Sequence, residues 1–276
     1  MKPFASPEKR DFTVDDARKF VAENDDFGFE MKVAAEIRNT LRVDVFHGGT
    51  YSDPVAGKPR QFDIRFRVRD ERKILYFAVE CKNIDPAHPV VICGRNSEAK
   101  ENFHDVIVSR GSVKGACASI RKAEACRYRA HEFVDKSVLK PDMKGRSNDS
   151  EIYDRWSQAL ASAHDLVMEA ANSASGFEFP SFGAVFAWVV VPDETLWTVT
   201  YNGDGQIVGD PKVANHCRYF VGHEYVVPRA NEKVCVSHID FVTFSGLRQK
   251  LESLHSSAVD WDDWIPEKIR SSYRGG

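Results

Sequence analysis

Three polar residues near the ends of two apolar segments carry side chains that hydrolytic chemistry requires. Glu80 lies at the end of the apolar run ILYFAVEC, Lys82 follows it, and Asp63 lies within the alternating segment QFDIRFRV. A β-strand places residues two apart on the same face, so Glu80 and Lys82 project together. Two carboxylates with an adjacent lysine suit a divalent cation and a water molecule, whereas a salt bridge across the sheet is the ordinary structural alternative.

The strand pairing that joins these residues follows from the turn between them. The polar stretch DERK separates QFDIRFRV from ILYFAVEC. A hairpin whose turn is centred between Glu71 and Arg72 sets Asp63 opposite Glu80. Directly opposed Cβ atoms lie about 5 Å apart, a distance at which two carboxylates repel unless a cation or a proton lies between them. The register therefore predicts a Mg²⁺ site, with Lys82 beside it to hold or polarise a water molecule.

An acidic residue on the preceding helix is a third candidate ligand. The segment FEMKVAAEIRNTL has an apolar face at helical spacing, formed by Phe29, Val33, Ala34, Ile37 and Leu41. Glu30 falls in the middle of that face, whereas Glu36 lies to one side of it. Burial of an unpaired charge is costly. We therefore expect Glu30 to reach a partner and assign it to the predicted metal site.

Together these residues resemble the core of the PD-(D/E)xK nuclease superfamily. The similarity consists of a helix bearing Glu30, a glycine-rich turn, Asp63 in KPRQFDI, and a strand that ends Glu80-Cys81-Lys82. It spans residues 29 to 93 of the chain. Phe62 stands where a proline often precedes the aspartate in that family.

The resemblance implies both a fold and a set of roles. The fold is α/β and restriction-endonuclease-like, a mixed central sheet flanked by helices and extended here by C-terminal strands. Asp63 and Glu80 would bind Mg²⁺ or Mn²⁺, Lys82 would assist the nucleophile, and Glu30 would join the metal shell. Cys81 is included in the predicted metal-binding element, although a cysteine there is also typical of a small buried side chain.

Basic residues around the predicted site are candidates for binding phosphates. Lys58, Arg60 and Arg65 flank it, and Arg121 lies in residues 112–134, whose pattern predicts a basic helix. Contacts to nucleic-acid phosphates require such side chains. A solvated strand or helix face is the alternative interpretation for both groups.

The remaining pattern predicts one domain of residues 1–276. We expect its catalytic core at about residues 25–135 and a helix- and strand-rich C-terminal extension at about residues 149–276. A long helix is predicted to begin near residue 149. Gln158 on this helix is a candidate accessory residue close to the metal, with an exposed glutamine as the alternative.

Composition narrows the classes of function. The formal net charge of −3 does not suit a polybasic nucleic-acid coat, so any such binding depends on local patches. The six cysteines form no C-x-x-C pair, which favours free thiols in a reducing, cytoplasmic compartment. No apolar run approaches the ~20 residues of a membrane helix, so no membrane partner is expected.

These observations predict a metal-dependent nuclease that hydrolyses phosphodiester bonds. DNA is the expected substrate, with RNA as an open alternative, and the resemblance implies a role in restriction, phage defence or repair. The resemblance implies a homodimer or a complex with a partner such as an ATPase or a sensor. Two alternatives stay open, namely a catalytically silent nucleic-acid-binding or scaffold module and a structure-selective nuclease of the junction-resolvase kind.

Overall fold

The computed structural model describes most of the chain in helices, strands and their connections. The described residues are 11–23, 25–53, 57–70, 73–87, 89–96, 103–109, 117–123, 133–139, 149–174, 182–227 and 232–256. Their helices are α1 Val14–Glu23, α2 Asp26–Leu41, α3 Asp149–Ala174 and α4 Phe244–Ser256. Their strands are β1 Val45–His47, β2 Thr50–Ser52, β3 Pro59–Gln61, β4 Ile64–Asp70, β5 Lys73–Cys81, β6 Val90–Asn96, β7 Phe103–Ser109, β8 Cys117–Ala123, β9 Phe133–Leu139, β10 Phe182–Val191, β11 Leu196–Thr200, β12 Lys212–Val213, β13 His216–Val227 and β14 Glu232–Thr243.

Twelve of the described strands form one mixed sheet, and β2 and β3 form a separate hairpin. The order of the main sheet is β1-β4-β5-β10-β14-β13-β9-β6-β11-β12, and β7 and β8 join it as a hairpin through β10. β4 and β5 are antiparallel, whereas β10 runs parallel to both β5 and β14. This arrangement confirms the predicted α/β class with a mixed sheet flanked by helices.

Helices cover the two faces of the sheet and create two apolar layers. On one face α3 packs small and branched side chains, such as Ala163 and Val167, against β5 and β10. On the other face α2 and α4 cover Phe66, Phe77 and Trp188, whose rings stack or meet edge to face. Strand residues therefore alternate between an α3 face and an α2/α4 face. The candidate site lies at the edge of this sandwich, where β4 begins and β5 ends.

A buried ion cluster connects β13, β14 and α4. Asp240 is 4% exposed, and its carboxylate accepts from Arg218 Nε at 2.6 Å and from Lys250 Nζ at 2.6 Å. His216 Nε2 lies 2.9 Å from the same carboxylate. Burial opposes ionisation of Asp240, but the adjacent cations outweigh it and hold the pKa of that carboxyl well below its usual range.

The helix predicted over residues 112–134 is wrong. The described part of that segment contains β8, which pairs with β7 in antiparallel register, and the start of β9. Arg121 is therefore on a strand, with its Cα opposite that of Asp105, and not on a basic helix. The pairing of β8 with β7, which in turn pairs with β10, overrode the local helical pattern.

The predicted division between a core and a C-terminal extension does not match the sheet. β10, from the second half of the chain, lies directly beside β5 and pairs with it from Phe182↔Lys73 to Val190↔Cys81. The long helix α3, predicted to begin near residue 149, covers both strands. The second half therefore completes the core and does not simply extend it. Among the described helices, none is long and apolar enough to cross a membrane.

Candidate active site

The β4–β5 hairpin has the register predicted from the sequence. Ile64 pairs with Val79 and Asp70 pairs with Lys73, and one further step along the ladder sets Asp63 opposite Glu80. The Asp63 carboxylate accepts a hydrogen bond from the Cys81 backbone N–H at 2.7 Å. Asp63 and Glu80 also interact through their side chains. The two carboxylates are therefore adjacent on the α3 face of the sheet.

A glycine turn fixes the backbone that carries Asp63. The Gly48 N–H donates to the Asp63 carbonyl at 3.0 Å, and the Phe62 N–H donates to the Gly49 carbonyl at 2.9 Å. Gly48 has φ of +70°, in the left-handed region that favours glycine. The Phe62 ring covers Gly49 so closely that a Cβ there would clash with it. The two glycines thus permit Phe62 and Asp63 to lie against the turn.

Gly49→Ala is expected to lower the free energy of unfolding by about 1–3 kcal/mol, because the added methyl group must displace the Phe62 ring. Urea denaturation measures the change. Gly203→Ala is the matched control, since a Cβ at Gly203 meets no heavy atom within 4 Å. Equal stability of the two variants would contradict the close packing of Gly49.

Lys82 completes the group at the end of β5. Its Nζ lies 2.5 Å from Glu80 Oε1, and its side chain is 20% exposed. The Lys82 backbone N–H donates to the Val190 carbonyl of β10 at 2.9 Å, so the parallel strand fixes its position. The ammonium group consequently points toward the acidic pair and reaches solvent.

Burial disfavours the charged forms of Asp63 and Glu80, and Lys82 alone does not neutralise both. Burial raises the pKa of Glu80 to about 8, and the charges of Asp63 and Glu30 add to the effect, while Lys82 opposes it. Burial also raises the pKa of Asp63, against its hydrogen bond from Cys81 and the charge of Lys82. One lysine thus leaves the acidic pair under-neutralised, and a divalent cation would supply the missing charge.

Glu30 has a direct partner that the sequence pattern did not reveal. Its Oε2 lies 2.8 Å from His47 Nε2, on the edge strand β1. Burial and the nearby Asp63 carboxylate raise the pKa of Glu30, against the opposing effects of His47 and Lys82. Glu30 is therefore close enough to act on the acidic pair, but it approaches from the α2 side and is bound to His47.

The prediction that Cys81 belongs to the metal ligands is corrected. Its side chain is 5% exposed and lies in the apolar layer between the sheet and α2, on the face opposite Asp63 and Glu80. Burial raises the pKa of the Cys81 thiol well above its usual range. The thiol stays protonated and apolar, and only the backbone N–H of Cys81 serves the site through Asp63.

Gln158 is brought to the acidic pair by α3. One end of its amide lies 2.6 Å from Glu80 Oε1, which requires the nitrogen at that end because a carboxylate accepts hydrogen bonds. In that orientation the amide oxygen accepts from Arg60 at 3.3 Å. Gln158 therefore connects Glu80 to the β2–β3 hairpin.

The predicted phosphate-binding residues have different surroundings. Arg60 is 42% exposed and its Nε binds Asp53 at 2.7 Å, next to the site. Lys58 is exposed on the same hairpin. Arg65 is instead a structural residue, because its Nε donates to Ser162 Oγ at 3.1 Å and its guanidinium lies 4.2 Å from the centre of the Phe62 ring. The Arg121 side chain lies outside the described part of the structure.

Sequence reasoning missed two buried polar residues of β2 and its following turn. Tyr51 is 4% exposed and Asp53 is 5% exposed, although both lie in a loop region rich in glycine and proline. No periodic pattern marks a three-residue strand, so the sequence offered no signal for either residue. Tyr51 lies close to Glu80 and to Asp53, since burial and the charges of both carboxylates raise its pKa.

Asp63 and Glu80 supply two ligands of the kind that Mg²⁺ or Mn²⁺ prefers. Within the described residues, no three His, Cys, Asp or Glu side chains form a group that could hold a metal by themselves. Asp63 and Glu80 nevertheless offer hard carboxylate oxygens from one face, and Mg²⁺ commonly takes one or two carboxylates from a protein and its remaining ligands from water and phosphates. The site thus suits a cation that is shared with a substrate.

Comparison of the chain with protein-family models, with curated proteins and with solved structures found no match.

Proposed function

We propose that this protein is a metal-dependent nuclease with a restriction-endonuclease-like core, which hydrolyses phosphodiester bonds in DNA. The observation that supports it most directly is the Asp63–Glu80 juxtaposition with Lys82 Nζ 2.5 Å from Glu80. A buried acidic pair that one lysine does not neutralise favours a divalent cation. A phosphodiester is a substrate whose oxygens would complete the coordination of such a cation.

Each residue of the group has a role that follows from its contacts. Asp63 and Glu80 would hold Mg²⁺ or Mn²⁺, with Asp63 oriented by the Cys81 N–H and Glu80 by Gln158. The bound cation would supply Lewis-acid stabilisation of charge on the phosphoryl oxygens. Lys82, fixed by Val190 of β10, would orient the attacking water or donate to the phosphate. Glu30 would act from a distance on the charge of the pair.

The substrate surface follows from the basic residues that remain accessible. Arg60 and Lys58 are exposed residues of the β2–β3 hairpin, and Arg60 reaches Gln158 next to the acidic pair. They would contact phosphates of the bound strand without reading its sequence. A homodimer, or a partner such as an ATPase or a sensor, stays a prediction.

Lys82→Ala and Asp63→Ala are each expected to reduce cleavage by at least about 10²-fold, since each removes a charged group from the reacting centre. The assay incubates plasmid DNA, single-stranded DNA and RNA with the protein and Mg²⁺ or Mn²⁺, and EDTA is expected to stop the reaction.

Lys233→Ala is the matched control, because Lys233 also forms a 2.8 Å ion pair with a glutamate but is 67% exposed and outside the site. It is expected to cut as well as the wild type. If the wild type cuts none of the substrates with either metal, or if Lys82→Ala cuts as well as Lys233→Ala, the proposed nuclease function is wrong.

A further inference from the structure

Tyr51 presents a buried hydroxyl group that has no hydrogen-bond partner. The side chain is 4% exposed, and its Oη is one of few buried polar atoms of the described residues left without a partner. Leaving a buried polar group without a hydrogen bond costs free energy, because the group has given up its bonds to water. A group that binds at this site and accepts a hydrogen bond would remove that cost.

The position of this hydroxyl next to the acidic pair limits the kind of partner. β2 contacts α3, and Tyr51 lies opposite Arg60 in the β2–β3 hairpin. The guanidinium of Arg65, which binds Ser162 of α3, lies 5.5 Å from the centre of the Tyr51 ring, so the phenol lies on the same side of the sheet as the proposed metal ligands. Tyr51 is therefore close to the place where a substrate would meet Glu80.

The chemistry around the hydroxyl calls for an acceptor. Burial raises the pKa of Tyr51 to about 12, so the phenol is a protonated donor at neutral pH. Arg60 and Arg65 are its cationic neighbours, and a guanidinium group has no acceptor to offer. An oxygen that carries negative charge, next to two guanidinium groups, matches this environment.

We infer that Tyr51 is a substrate-contacting residue of the proposed nuclease, whose O–H donates to a non-bridging oxygen of the phosphodiester held beside Glu80. Arg60, opposite it in the hairpin, contributes charge to the same phosphate. This inference rests on the proposed function, because it uses the same acidic pair and the same substrate. The β2–β3 hairpin would then form one side of the phosphate-binding site.

Tyr51→Phe tests the inference because it removes only the oxygen and keeps the ring beneath Arg65. We expect kcat/KM for cleavage of an oligonucleotide to fall by about 10- to 10²-fold, while the melting temperature stays unchanged or rises, since no native hydrogen bond is lost. Separate kcat and KM values show whether the hydroxyl acts mainly in the transition state or in binding.

Tyr225→Phe is the matched control, because this second buried tyrosine already donates its O–H to the Leu160 carbonyl at 2.6 Å. It is expected to lower the melting temperature and to leave kcat/KM within about 2-fold of the wild type, since its hydroxyl is not free for a substrate.

The outcomes separate the two proposals. If the wild type cuts and Tyr51→Phe cuts equally well, the inference about Tyr51 is overturned and the nuclease function stands. If Tyr51→Phe loses activity only in parallel with a lower melting temperature, the hydroxyl is structural and the inference is likewise overturned. If the wild type cuts no substrate, the proposed function fails and the inference falls with it.

Discussion

Replacing Glu80 with glutamine is expected to make the metal-free protein more stable at neutral pH and to abolish the proposed metal-dependent cleavage. Burial and the charges of Asp63 and Glu30 raise the pKa of Glu80 to about 8. At neutral pH the folded protein must therefore either bind a proton at Glu80 or keep a disfavoured buried charge there. The unfolded chain does neither. Glutamine removes this cost but also removes a carboxylate ligand, so we expect cleavage to fall by about 10³-fold or more.

The pH dependence of the stability difference has a definite sign. For an acid whose pKa is raised on folding, the penalty is absent below the unfolded value of 4.5, grows as pH rises, and is complete above about 8. Glu80→Gln should therefore match the wild type at low pH and exceed its free energy of unfolding by at least about 1 kcal/mol at pH 8. Urea denaturation across this range, without metal, measures the difference.

In the presence of metal, the wild type should become more stable than Glu80→Gln. Mg²⁺ or Mn²⁺ that binds only the folded state raises its melting temperature, and we expect this for the wild type and not for Glu80→Gln. Glu224→Gln, at an exposed ion pair, is the control and should respond to metal as the wild type does. A metal response in Glu80→Gln equal to that of the wild type would remove Glu80 from the proposed ligands.

Asp240→Ala is expected to be the most destabilising single change outside the candidate site. Removal of the carboxylate leaves the partly buried Arg218 and Lys250 without the negative charge that both of them bind. Breaking a buried ion pair from one side costs about 3–5 kcal/mol. Equilibrium urea denaturation of the purified variant measures the loss.

An exposed ion pair on the same helix provides the comparison. Arg248 of α4 binds Glu36 of α2 through two hydrogen bonds of 2.7 and 3.0 Å, but its side chain is 57% exposed. Arg248→Ala should be far less destabilising than Asp240→Ala, because solvent screens the exposed pair. Similar losses in the free energy of unfolding for the two variants would contradict the effect that we assign to burial.

The contribution of Asp240 also depends on pH in a predictable direction. Because its pKa is lowered on folding, its stabilising effect is fully present above the unfolded value of 3.8 and is lost as pH falls below it. The stability gap between the wild type and Asp240→Asn should therefore narrow in acid. A gap that widens below this pH would show that the adjacent cations do not favour the ionised carboxylate.

Short-range patterns predict the part of the site that depends on local structure. The polar turn between β4 and β5 defines the hairpin register, so the sequence alone is enough to predict that Asp63 lies opposite Glu80. The apolar face of α2 is predictable in the same way, because its buried residues recur at helical spacing. That pattern identifies Glu30 on the helix, but not its partner.

The rest of the site depends on contacts between distant segments. His47 reaches Glu30 because β1 pairs with β4, and Gln158 reaches Glu80 because α3 packs on β5. Cys81 is different, because the alternation that puts Glu80 and Lys82 on one face already puts the Cys81 thiol on the other, in the α2 layer, so its assignment to the metal ligands was an error that the sequence could have prevented. The strands at β8 and β9 were missed because pairing across the sheet, and not local propensity, determines them.

The place of β10 beside β5 has a consequence for how the protein acquires its activity. Ala78 pairs with Ala187, and the backbone N–H of Lys82 is held by the Val190 carbonyl, so the strand that orients the lysine is synthesised long after the E-x-K segment itself. Parallel pairing between distant segments forms late and slowly in folding. A nascent chain that has exposed only its first half therefore carries the proposed acidic ligands but lacks the support for Lys82. If the proposed function is correct, we expect synthesis to yield an inert intermediate first, with hydrolysis possible only when β10 has joined the sheet.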